Sequence, residues 1–164
     1  MKKFRLLLWS VLLILFDQLT KYLVTVKIKG KQPIKIIDGV FELVYHENDG
    51  AVWGILSGKT VFLLIFTIIA LALIAFVFYR LPEEKRFTPI RIILIFIVAG
   101  AIGNLIDRVL YGYVIDFLYF SLIDFPVFNV ADIYITVSAI LLMILGVFYY
   151  KEEDYELIFA KKQK

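Results

Sequence analysis

Four aspartates stand in or beside long apolar stretches of this chain: Asp17, Asp107, Asp116 and Asp132. An aspartate at the centre of a membrane helix costs about 2.5–3.5 kcal/mol on insertion scales, so each of the four needs a reason to be there. Asp17 has Lys21 one helical turn later, and that spacing makes a stabilising ion pair. Asp107 adjoins Arg108 in GNLIDR and could equally be a helix-end acid in water, with catalysis the less favoured role. Asp116, in YGYVIDF, and Asp132, in FPVFNVAD, have no basic residue beside them. Asn129 lies three residues before Asp132, on the same helical face. Two carboxylates that meet in a dry site cannot both ionise cheaply, so one keeps a proton. Such a pair can activate a water with its base and protonate a leaving amine with its acid. The chemistry would be peptide hydrolysis. The alternative is two unrelated acids that reach the interface separately.

Other hydrolytic schemes find little support. There is no cysteine, which excludes thiolate chemistry and disulfides. The single histidine, His46, excludes a multi-histidine metal site, and no metal or cofactor is expected. A serine–lysine pair is the remaining competitor. Ser57 with Lys59, or Ser121, offers no helical spacing that favours it.

The elements that must position these residues are membrane helices. The 164 residues are 62% hydrophobic, against about 45–50% in soluble domains, so lipid must solvate much of the surface. A single membrane domain over 1–164 is expected, all-α in class. Its four transmembrane spans lie at about 6–26, 60–79, 90–110 and 125–150. The start of the chain resembles a signal peptide, but no small-x-small cleavage site follows, so an uncleaved first span is expected.

Basic residues orient the spans. The N-terminal segment, the loop with Arg80, Lys85, Arg86 and Arg91, and the tail 151–164 share one side, the cytoplasm. The loop between spans three and four has only Arg108. The outer loop, 27–59, is lysine-rich but mixed with acids, and the other segments outvote it. Within it, PIKIIDGVFELVY flanks the turn pair Asp38-Gly39 with β-formers and predicts a hairpin. The run AGAIGN places small residues four apart for close helix packing. The tail 151–164 is expected to be solvated. The net charge of +3 is small and dispersed, which suits a membrane protein and not a nucleic-acid binder.

FDQLTK, NDGAVWG, AGAIGNLIDR, YGYVIDF and FNVAD occur here in the order found in the bacterial lipoprotein signal peptidases (signal peptidase II), and the chain resembles that family from Asp17 to Asp132. The resemblance implies an inner-membrane aspartic endopeptidase that removes signal peptides from prolipoproteins, cutting just before a diacylglyceryl-modified cysteine. By motif, Asp116 and Asp132 would be the catalytic pair. Asn48, Asn104, Arg108 and Asn129 would lie near substrate or pair, and Asp17 would support them. The outer loop would form a small extracytoplasmic sheet and an arm over the site, with Trp53 resting on lipid or covering the site. The partners implied are lipid-modified precursors and membrane lipid, acted on by a monomer. Ile115 stands where valine is common, and Ile133-Tyr134 where small residues are usual. Two other classes fit membrane acids: an ion or proton transporter, whose site would lie near the midplane, and a non-catalytic adaptor. Neither needs two unpaired aspartates toward one face.

Overall fold

The computed structural model describes residues 3–51 and 55–159. Its helices are α1 (Lys3–Ile28), α2 (Thr60–Arg80), α3 (Thr88–Tyr111), α4 (Val130–Phe148) and α5 (Glu152–Phe159), and its strands are β1 (Ile34–Ile37), β2 (Phe41–Asn48) and β3 (Val114–Tyr119). Among the described residues, three segments are long and apolar enough to cross a membrane: Thr60–Arg80, Lys85–Tyr111 and Val130–Phe148. Their outward faces are apolar. Val61, Leu73, Met143 and Val147 are all exposed, as a lipid solvent permits and water would not.

Local chemistry sets the helix ends. Leu81 takes an extended ψ of 127° at the end of α2, the conformation imposed on a residue before proline, here Pro82. Pro89 opens α3, where its missing N–H costs nothing. Gly112 closes α3 at a φ of 84°, left-handed backbone that glycine adopts without strain.

The central helix is α3, which packs against α1, α2 and α4. The small residues of AGAIGN make this possible, as the sequence predicts. A Cβ on Gly100 would lie 2.5 Å from the carbonyl oxygen of Ala131 on α4, and one on Gly103 would lie 2.5 Å from the Asp17 carboxylate on α1.

The expected hairpin forms, with the turn at Asp38-Gly39 and Val40 N–H bonded to the Ile37 carbonyl at 3.0 Å. A third strand, which the sequence reading did not anticipate, completes an antiparallel sheet in the order β1-β2-β3. It is β3, the segment that carries Asp116. Val24, Ile28 and Phe117 form a buried apolar cluster where α1 meets this sheet.

Two expectations need correction. The helix of the expected fourth span begins at Val130, not near 125, because Phe128 continues the sheet through paired hydrogen bonds with Leu118 at 2.8 and 3.0 Å. The tail after Tyr150 is not simply solvated. Helix α5 folds back, burying Ile158 with Leu81, Phe87, Ile90, Leu94 and Tyr150. Arg86 grips Asp154 with a two-pronged ion pair, the strongest geometry for such a pair.

Candidate active site

Asp116 and Asp132 reach the site from different elements. Asp116 projects from the first half of β3 and is 1% exposed. Asp132 lies in the first turn of α4, where Asn129 is the N-cap. The Asn129 side-chain oxygen accepts from the Asp132 backbone N–H at 3.0 Å, and the Asp132 carboxylate accepts from the Asn129 backbone N–H at 3.0 Å. This is a reciprocal capping box. Its Asn-x-x-Asp spacing is visible in the sequence, so this signal was available and unread.

Every oxygen of the two carboxylates accepts a hydrogen bond from an N–H. Asp116 Oδ1 takes Asn129 Nδ2 at 2.7 Å, and Oδ2 takes Asn48 Nδ2 at 2.8 Å. Asp132 Oδ1 takes Asn104 Nδ2 at 2.8 Å, and Oδ2 takes the capping N–H described above. Asn129 also donates to Asn104 Oδ1 at 3.1 Å, so one asparagine ties both acids into a single network. Burial pushes the Asp116 carboxyl up to about 7, and the neighbouring Asp132 charge adds to the rise. The bonds from Asn48 and Asn129 pull the other way.

A buried charge cluster lies beneath. Lys21 pairs with Asp17 at 3.0 Å, as its spacing predicts, and also with Asp107 at 2.9 Å. Asp17 further caps α4, accepting from Ala131 N–H at 2.9 Å. The reading of Asp107 as a helix-end acid in water is wrong: it is 1% exposed. It accepts from Gln18 at 3.0 Å and from the backbone N–H of Ile115, next to Asp116, at 3.1 Å. Its importance follows from packing of α1 on α3, which local spacing does not reveal.

Arg108 points to the outer loop and donates to the Gly50 carbonyl at 3.0 Å. Gly50 N–H in turn donates to Asn48 Oδ1 at 3.0 Å, which leaves the Asn48 amide hydrogens for Asp116. The loop closes on itself through Ser57 and Asp49 at 2.8 Å. Ser57 therefore belongs to loop closure, and the serine–lysine scheme gains nothing from it. Trp53 lies outside the described residues. Thus Asn48, Asn104, Asn129 and the two aspartates converge directly, Asp17 supports them through Ala131 and Lys21, and Arg108 anchors the loop.

A polar, carboxylate-centred site at one end of a bundle of lipid-exposed helices defines a membrane enzyme. The family model described as Signal peptidase (SPase) II matches residues 9–148. A lipoprotein signal peptidase from Staphylococcus aureus strain MRSA252 is 41% identical over 140 residues, spanning 84% of this chain and 85% of the relative. Another from strain JH9 is 40% identical over the same spans. A solved bacterial membrane enzyme superposes with a TM-score of 0.78 at 34% identity, covering 99% of this chain and 95% of the other. A second matches with a TM-score of 0.77 at 35% identity, covering 91% and 96%. The chain belongs to the signal peptidase II family and is therefore a peptidase.

Proposed function

We propose that this peptidase removes signal peptides from bacterial prolipoproteins, cutting just before the diacylglyceryl-modified cysteine, with Asp116 and Asp132 as the catalytic pair. The observation that carries the reading is the pair itself: two carboxylates on separate elements, joined through Asn129, with all four oxygens held by N–H donors. The Staphylococcus aureus relatives are named for this activity.

Asp132, ionised, takes a proton from water as the water oxygen attacks the scissile carbonyl. Asp116 holds its proton up to about pH 7 and delivers it to the leaving nitrogen. The tetrahedral carbon then collapses to a free carboxylate and a free amine. The substrate must reach the pair extended, because a helix hides its amide bonds within its own hydrogen bonds. Asn48 and Arg108, with the loop they hold, are placed to keep the extended segment in position.

The experiment is cleavage of a precursor by purified protein in EDTA across about pH 5 to 9. Activity should persist in the chelator, since no metal ligand enters the scheme. A raised acid stays protonated below its pKa and loses its proton as pH rises through it. The kcat/KM value, which reports free-enzyme groups, should therefore fall above about pH 7. Inactivation by EDTA with rescue by zinc would overturn the scheme.

We read helix α1 as a further span, the first in chain order, which brings the number to four at the inner membrane. Its Leu8, Leu12, Leu15 and Leu19 are exposed, a lipid-facing stripe on the face opposite the buried Asp17 and Lys21. The contact of Asp154 with Arg86 puts α5 beside the α2–α3 connection, which is the basic side and so the cytoplasmic one. The sheet and site would then face outward. A reporter fused after Lys164 should read as cytoplasmic, and one inserted in loop 27–59 as external. The reverse pattern would refute this orientation.

A further inference from the structure

Lys21 is 1% exposed, yet the two-aspartate scheme assigns it no step. Its ammonium has three N–H donors and no acceptor. Three acceptors surround it: Asp17 at 3.0 Å, Asp107 at 2.9 Å and Asn104 Oδ1 at 3.0 Å. Two carboxylates already exceed its charge. The contact to a neutral amide is therefore not needed for charge balance.

That contact has a direction. A group that only donates must meet the oxygen of Asn104, so the Asn104 NH2 must face the other way, and it lies 2.8 Å from Asp132 Oδ1. Asn129 Nδ2 reinforces the arrangement with a second donor to the same Asn104 oxygen. If Asn104 rotated by half a turn, its NH2 would oppose two donors and its oxygen would oppose a carboxylate.

We infer that Lys21 is a positioning residue: it locks the Asn104 amide with its N–H toward Asp132, and so keeps that carboxylate free to accept a proton. The inference rests on the reading of Asp116 and Asp132 as the catalytic pair. Without the lock, a rotated Asn104 presents its oxygen, a contact that only protonated Asp132 satisfies. The pair then loses its base while the substrate contacts stay.

The test is a mutant cycle on purified protein in detergent with a lipid-modified precursor. Asp107→Asn is the reference background, since Lys21 there still reaches Asn104. Adding Lys21→Met to it retains the native cluster's net formal charge of −1, one ammonium and two carboxylates in the native protein and Asp17 alone in the variant. Compared with the native protein, that double variant removes the lock without changing the cluster's net charge. Relative to the native protein, kcat should fall roughly 10- to 100-fold, the range for a lost hydrogen bond to a charged group, with KM changed less than about threefold. Asn104→Ala should cost a similar factor in the reference but less than about threefold once Lys21 is gone, because coupled residues do not add. A merely structural lysine predicts equal losses from Asn104→Ala in both backgrounds, and that result overturns the inference. Lys21→Gln keeps a donating amide and should lose less than Lys21→Met. If the methionine variant fails to fold, Lys21→Leu, which also lacks a donor, carries the same cycle, and undiminished loss from Asn104→Ala there overturns the inference. Asp132→Asn separates the two levels: activity in it sinks the catalytic pair, whereas an inactive Asp132→Asn with additive losses sinks only the lock.

Discussion

Asp116→Asn and Asp132→Asn should each lower turnover by about 10²–10⁴-fold, because each removes one half of the acid–base work. The double variant should be little worse than either single one, since residues that act as a unit are grossly non-additive. The folded state should survive. The new amide keeps one acceptor oxygen, but its NH2 meets a donor, Asn48 or Asn129 at Asp116 and Asn104 or the Asn129 N–H at Asp132. That mismatch costs about 1–3 kcal/mol, which a shift in thermal midpoint would register. Near-normal turnover in either single variant would eliminate the two-aspartate mechanism.

The second large effect is on stability. Asp107→Ala should destabilise the protein by about 3 kcal/mol, the lower end of the range for removing one partner of a buried ion pair. The lower end applies because Lys21 keeps Asp17. The loss includes the bonds from Gln18 and from the Ile115 backbone, so β3 beside Asp116 should loosen first. Glu47→Ala breaks an exposed pair with Lys29 and should shift unfolding little, as surface pairs generally do. Unfolding in detergent, followed by temperature or denaturant, checks both. Equal small shifts would show that the buried cluster does not hold the fold.

The contrast between Asp17 and Asp107 shows where reading the chain succeeds and where it stops. Asp17 and Lys21 are one turn apart, so their pairing is local and legible. The bond between Asp107 and Lys21 joins α1 to α3, and nothing in GNLIDR reports it. The hairpin at Asp38-Gly39 is likewise local, whereas β3 forms only because α3 delivers Val114 opposite Asn48. The motif resemblance brought Asn48, Asn104 and Asn129 into view without saying what they touch. Their bonds to Asp116 and Asp132 depend on three elements meeting. Asn129-x-x-Asp132 is the exception, a local capping signal that gives the start of α4 directly. The docking of α5 depends on Arg86, from a distant loop, and could not be read from KEEDYELIF.

The central claim is hydrolysis of a lipid-modified precursor by this aspartate pair. The most direct measurement is the intact mass of both products when the purified enzyme is given matched precursors with and without the diacylglyceryl group. The account predicts rapid cleavage of the lipid-modified precursor, with the new N-terminus at the modified cysteine, and far slower cleavage of the unmodified one. A cut at another bond, or equal rates for the two precursors, would contradict it.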